Sequence, residues 1–173
     1  LLMLDYAPSY ALDQDSFPGF WFYQYFVTNP KAFLESLMSR GFLQQGTIEE
    51  SLKNAKVTEL KSALSASGLN TSGKKEVLIR RLMTECDPGE LARTFPQRYY
   101  ERTQNGESAL ADGTYVSYIH KHKIMDMDAW SLNRLMHDGN GKSHYEVIWN
   151  ELERLRKKGF NRRQIWDISL SHI

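Results

Sequence analysis

The chain has 173 residues, 41% apolar and 12% aromatic, a globular composition that can build a core as one domain or as a small module held between two others. Its single cysteine, Cys86, excludes an intrachain disulfide and a Cys-rich zinc site, and fits a reducing, cytoplasmic setting. The net charge of +1 hides an uneven distribution: residues 1–50 hold two basic and six acidic side chains, a net of −4, whereas residues 51–86 hold seven basic and three acidic, a net of +4.

Three segments are expected: 1–51, aromatic-rich and helical; 52–86, a basic module; and 87–173, mainly helical. The longest apolar stretch, residues 17–27, is broken by Pro18, Gly19 and Gln24 and is too short to span a bilayer, so no membrane partner is expected. The start, Leu1-Leu2-Met3-Leu4-Asp5, lacks the basic region of a signal peptide, and without an initial Met it reads as part of a longer protein. The aromatic run from Phe17 to Phe26 carries no interleaved Lys or Arg. Core packing is its leading reading, a partner-binding surface the second, and base stacking the third.

Asn29-Pro30 predicts a helix start and Gly41 its stop, with Phe33, Leu34, Leu37 and Met38 on the buried face. Thr47 with Glu50 forms a capping box. Val57, Leu60 and Leu64 repeat at helical spacing as far as Gly68, and after a turn at residues 70–73, Leu78, Ile79, Leu82 and Met83 mark another helix. Asp87-Pro88 with Glu90 starts the next. Residues 99–103 and 115–120 read either as short strands or as helices, set apart by the turn formers Asn105-Gly106 and Asp112-Gly113. A helix carrying Trp130, Leu135 and Met136 is expected near Asp128. Two further capping boxes, Ser143 with Glu146 and Asn161 with Gln164, enclose Val147, Ile148, Leu152 and Leu155, and the first of these helices stops at Gly159.

The informative stretch lies in the basic segment. It runs Val57-Thr58-Glu59-Leu60-Lys61, then Leu64, then Gly68-Leu69-Asn70-Thr71-Ser72-Gly73-Lys74-Lys75-Glu76-Val77-Leu78-Ile79-Arg80-Arg81-Leu82. Lys is disfavoured in a helix's first turn, where free N–H groups and the dipole already carry positive charge. Here Lys74 and Lys75 are expected there, directly after a Gly that lets a ligand approach the backbone. Such a broken local rule suggests an anion site, with Arg81 seven residues on extending the basic stripe and Lys61 adding to it. Solvated lysines on an exposed helix end are the plainer alternative.

Without a gap, this stretch resembles the SAP family, whose pattern is E-L-K, then L, then G-L-x-x-S-G-x-K-x-x-L-x-x-R-L. The resemblance covers about a fifth of the chain. It implies two short helices joined by an extended loop; the chain as a whole reads as mainly α, with room for one small β-hairpin or wing in its C-terminal half. It also implies a DNA-binding module that contacts the phosphate backbone of duplex DNA with little base specificity. The residues it points to are Lys61, Ser72, Gly73, Lys74, Lys75, Arg80 and Arg81. A non-catalytic DNA-binding protein of bacterial or phage origin is the first expectation. A protein-interaction or scaffold domain, with a protein partner, is the second, and an accessory region of a larger nucleic-acid enzyme the third.

Other groupings are set aside. His120-Lys121-His122 with Asp126 and Asp128 fixes no third ligand, so no metal or other cofactor is expected. Gly139-Asn140-Gly141-Lys142-Ser143 fails as a phosphate loop because Met136 stands where Gly belongs, and as a calcium loop because Lys142 replaces an oxygen ligand. Arg154, Arg156, Lys157, Lys158, Arg162 and Arg163 read as a solvated face or an auxiliary phosphate contact. Tyr100-Glu101-Arg102-Thr103 with Gly106 resembles the last strand and wing of winged-helix proteins. No nucleophile–base arrangement or nuclease-like acidic grouping is present in the sequence.

Overall fold

In the computed structural model, residues 1–122, 124, 127–138 and 142–157 are described, and they fall into two contact units: Met3–Leu110, and Leu1–Leu2 with the described residues from Ala111 onward. The fold is mainly α, with one small antiparallel strand pair.

The larger unit begins within α1 (Leu2–Tyr6), at Met3, and continues through a 3-10 turn at Ala7–Ser9 and the single-turn α2 (Phe20–Tyr23). Trp21 is buried among Tyr6, Tyr10, Phe20 and Tyr25, and its indole N–H donates to the Tyr10 hydroxyl at 2.9 Å. A four-residue helix cannot turn every aromatic inward, so Phe22, Tyr23 and Phe26 stand exposed. The aromatic run is therefore part core and part surface.

Asn29 caps α3 (Pro30–Ser39) by accepting from the Ala32 N–H at 3.0 Å, and Gly41 ends it with φ +75°. Leu34 and Leu37 are buried as expected, but Phe33 is not: the buried stripe is too narrow to reach it. After β1 (Leu43–Gln45) come α4 (Ile48–Asn54), α5 (Val57–Ala66), α6 (Lys75–Glu85) and α7 (Pro88–Thr94), the last capped by Asp87, whose carboxylate accepts from the Glu90 N–H at 2.9 Å. Thr47 starts α4, but its side chain makes no capping hydrogen bond.

β2 (Tyr100–Arg102) pairs antiparallel with β1, Leu43 opposite Arg102 and Gln45 opposite Tyr100. Of the two readings left open for residues 99–103, the strand holds, over Tyr100–Arg102, and its partner comes from before the basic segment. Gly106 forms no wing: it lies in α8 (Gln104–Asp112), where a Cβ would come within 2.2 Å of the Phe42 carbonyl oxygen. Asn105-Gly106 accordingly starts a helix instead of a turn, because Thr103 Oγ1 accepts from the Gly106 N–H at 3.2 Å.

In the second unit, residues 115–120 are helical, within α9 (Thr114–His122). Tyr115 and Ile119 sit one turn apart, and the Tyr115 hydroxyl donates to Asn133 at 2.5 Å on α10 (Ala129–Asp138). Asp128 and Ser131 cap α10 reciprocally, and Ser143 with Glu146 forms the expected box at the start of α11 (His144–Lys157). Ile119, Leu132, Val147, Ile148 and Leu152 are buried, while Trp130 is exposed. Asn161, Gln164 and Gly159 lie outside the described residues. No helix among the described residues is long and apolar enough to cross a membrane.

Candidate nucleic-acid interface

Two helices and the loop between them build the site. Leu60 and Leu64 of α5 and Leu78 and Leu82 of α6 are fully buried against one another's neighbours in one core cluster, which Leu91 and Phe95 of the following segment complete. Gly68, at φ +69°, ends α5: its N–H donates to the Ser65 carbonyl at 3.0 Å, and the Leu69 N–H reaches back to the Leu64 carbonyl at 2.8 Å. That double turn drops Leu69 onto the cluster, covering the helix junction. Val57 and Met83, expected on the apolar faces, are instead largely exposed, at the edges of stripes that Leu60–Leu64 and Leu78–Leu82 already fill.

The loop from Leu69 to Lys74 is held by local polar contacts. Asn70 Oδ1 accepts from the Ser72 N–H at 2.8 Å, an Asx turn. Gly73 follows at φ +124°, where any side chain is strained, and a Cβ would press on Val77 at 3.1 Å. Lys74 is then the N-cap of α6, with φ −72° and ψ 163°, one residue ahead of the first turn in which the sequence placed it. An ammonium group has no acceptor, so this end has no side-chain cap. The Lys74 carbonyl receives the Val77 and Leu78 N–H groups at 2.9 and 3.1 Å, and helical geometry leaves the N–H groups before Val77 without an intrahelical acceptor.

The seven sequence-predicted residues divide by their surroundings. Ser72, Gly73 and Lys74 are exposed and contiguous at the loop end. Lys61 is exposed on α5, and Arg80 is exposed on α6, a quarter-turn from Arg81. Lys75 and Arg81 are partly buried and already engaged: Lys75 Nζ donates to the Lys53 carbonyl at 2.6 Å, and Arg81 Nη1 donates to the Asn70 carbonyl and, at 3.1 Å, to the Ser72 carbonyl. Lys75 and Arg80 also line a groove of about 530 Å³ floored by Ile79 and Met83. Lys53, on the same groove, pairs with Glu50 at 2.7 Å and Glu49 at 3.0 Å. The Glu50 hydrogen bond foremost raises its pKa and keeps its charge locally neutralised. Sequence reasoning did not single out Asn70, although its spacing to Ser72 is an Asx-turn signal.

His120 and His122 both lie on α9, two residues apart and so on different faces; the His122 ring packs 4.4 Å from Tyr118. No group of three metal-ligating side chains occurs among the described residues. Arg154 and Arg156 are paired with Glu151 and Glu153, so that cluster is partly neutralised, while Lys158, Arg162 and Arg163 lie outside the described residues, as do Asp126 and residues 139–141.

A helix pair bridged by a glycine-bounded extended loop, with an uncapped second-helix start flanked by cations, is a compact helix–extended loop–helix module. Residues 51–84 match the family of the SAP domain, which is generally a DNA- or nucleic-acid-binding module. The chain therefore contains a SAP domain, formed by the end of α4, α5, the loop and α6. No curated protein and no solved structure matches the chain.

Proposed function

We propose that the chain is a non-catalytic, cytoplasmic DNA-binding protein whose SAP domain holds the phosphate backbone of duplex DNA, with little base specificity. The observation that carries this reading is the uncapped start of α6 within a SAP domain. A phosphate oxygen is the acceptor that Lys74 cannot supply, and it would meet backbone N–H groups, the positive end of the helix dipole and an ammonium group together. Ser72, Gly73 and Lys74 form the centre of the proposed patch, with Lys61, Lys75, Arg80 and Arg81 around it. Backbone contacts of this kind position a duplex without reading its sequence.

The test is fluorescence anisotropy on A/T-rich and G/C-rich duplexes across a salt series. Affinity should fall steeply with salt and differ little between the duplexes, and Lys74→Ala should lower both affinity and slope. Arg154→Ala with Arg156→Ala, which removes cations already paired to glutamates, is the control for general positive charge. Absence of binding by the parent at low salt would sink the proposal. A protein-interaction role then takes its place, favoured by the exposed Phe22, Tyr23 and Phe26.

A further inference from the structure

We infer that Arg81 is a positioning residue that clamps the Leu69–Lys74 loop and presets Gly73 and Lys74 for a phosphate, in place of pairing with phosphate itself; this rests on the DNA-binding reading above. Its guanidinium bridges two carbonyls of the loop, Asn70 O and Ser72 O, from a position one turn before the end of α6. Between those carbonyls runs the Asx turn, and directly after them come Gly73, at φ +124°, and the uncapped Lys74. An extended loop has no ladder of backbone bonds to fix it, so these side-chain contacts set its path. Swinging Arg81 out to a phosphate would give up both of these loop contacts at once, whereas Lys74, which is exposed, has no such contact to give up. Two cations of one patch thus have different work: Lys74 meets the ligand, and Arg81 holds the backbone that presents it.

Lysine separates the roles. It keeps the charge, and as a point charge it serves phosphate well, but its terminal nitrogen lies one bond closer to the backbone and it lacks the planar fork. Full-length parent, Arg81→Lys, Arg81→Ala and Lys74→Ala are compared for duplex binding across salt, with thermal melts to establish that each is folded. A clamp requires that both Arg81 variants lose about tenfold in affinity, the size of one charge-assisted hydrogen bond, while keeping the parental salt slope. Lys74→Ala supplies the contrast, its slope falling by about 0.9, one phosphate's share. Parental affinity in Arg81→Lys, or a slope in Arg81→Ala reduced like that of Lys74→Ala, overturns the inference. Amide exchange in the DNA-free protein is the independent arm. The Ser72 N–H should lose protection in both Arg81 variants while Leu78 and Leu82 keep theirs, and unchanged Ser72 exchange also overturns the clamp. Should the parent fail to bind DNA, the functional reading falls alone and the exchange arm decides the clamp.

Discussion

Replacing Lys74 with Asp should stabilise the free protein and abolish its hold on DNA, two effects of opposite sign from one side chain. The backbone at Lys74 already has N-cap geometry, φ −72° and ψ 163°, so a carboxylate can accept from the N–H groups of the first turn without moving the chain. A good N-cap contributes about 1 kcal/mol over a residue that cannot cap. Exchanging a cation for an anion at the positive end of the dipole adds about 0.3–1 kcal/mol at an exposed site. The sum, about 1–2 kcal/mol, raises the melting midpoint by several degrees for a unit of this size. In anisotropy the same variant loses the phosphate's seat, its ammonium partner and the sign of the local field, so affinity should drop more than in Lys74→Ala. Thermal melts and low-salt binding on the same preparation provide both readouts. An unchanged or lowered midpoint would show that the helix start is not open, and parental DNA binding would show that the patch lies elsewhere.

Gly73→Ala should cost about 1–3 kcal/mol, from a left-handed backbone and a Cβ 3.1 Å from Val77, and should weaken DNA binding; a parental melt would contradict the loop geometry. Leu82→Ala, at a side chain with no exposed surface, should cost about 2–5 kcal/mol in urea unfolding, and a loss below 1 kcal/mol would mean that α5 and α6 do not share a core. Asp128 and Glu146 are held below their ordinary carboxyl values of 3.8 and 4.5, chiefly by backbone hydrogen bonds from Ser131 and Ser143. Depressed folded values mean that their stabilisation of α10 and α11 is complete above the ordinary values and is lost as pH falls through the depressed ones. Carboxyl carbon shifts followed by NMR should show both low midpoints, and ordinary midpoints would contradict the two caps.

Helix ends were the most legible part of the sequence, because each rests on one residue's own chemistry. Gly41 and Gly68 stop helices by accepting a positive φ, and Asn29, Asp87 and Ser143 cap with their own oxygens. The leucines of α5 and α6 were equally plain from spacing. The jobs of Lys75 and Arg81 were not, because their acceptors are the carbonyls of Lys53, Asn70 and Ser72, and a carbonyl has no letter in a sequence. Charge counting therefore merged cations that face solvent with cations that hold the chain. The pairing of β1 with β2 was hidden for another reason: two three-residue strands far apart in sequence carry almost no periodic signal, and only the folded chain brings Leu43 opposite Arg102.

That strand pair brackets the SAP domain, which lies wholly between Gln45 and its opposite number Tyr100. Contacts within the domain are local, α5 against α6 across one short loop, whereas the pairing of β1 with β2 must close the entire intervening chain. Local contacts form at a small entropic cost and long closures at a larger one. A folded helix pair shortens the effective span that the strands must bridge, which ties the closure of the strand pair to the stability of the SAP domain. Damage to its leucine core would then slow the joining of distant segments as well as weaken the finished structure.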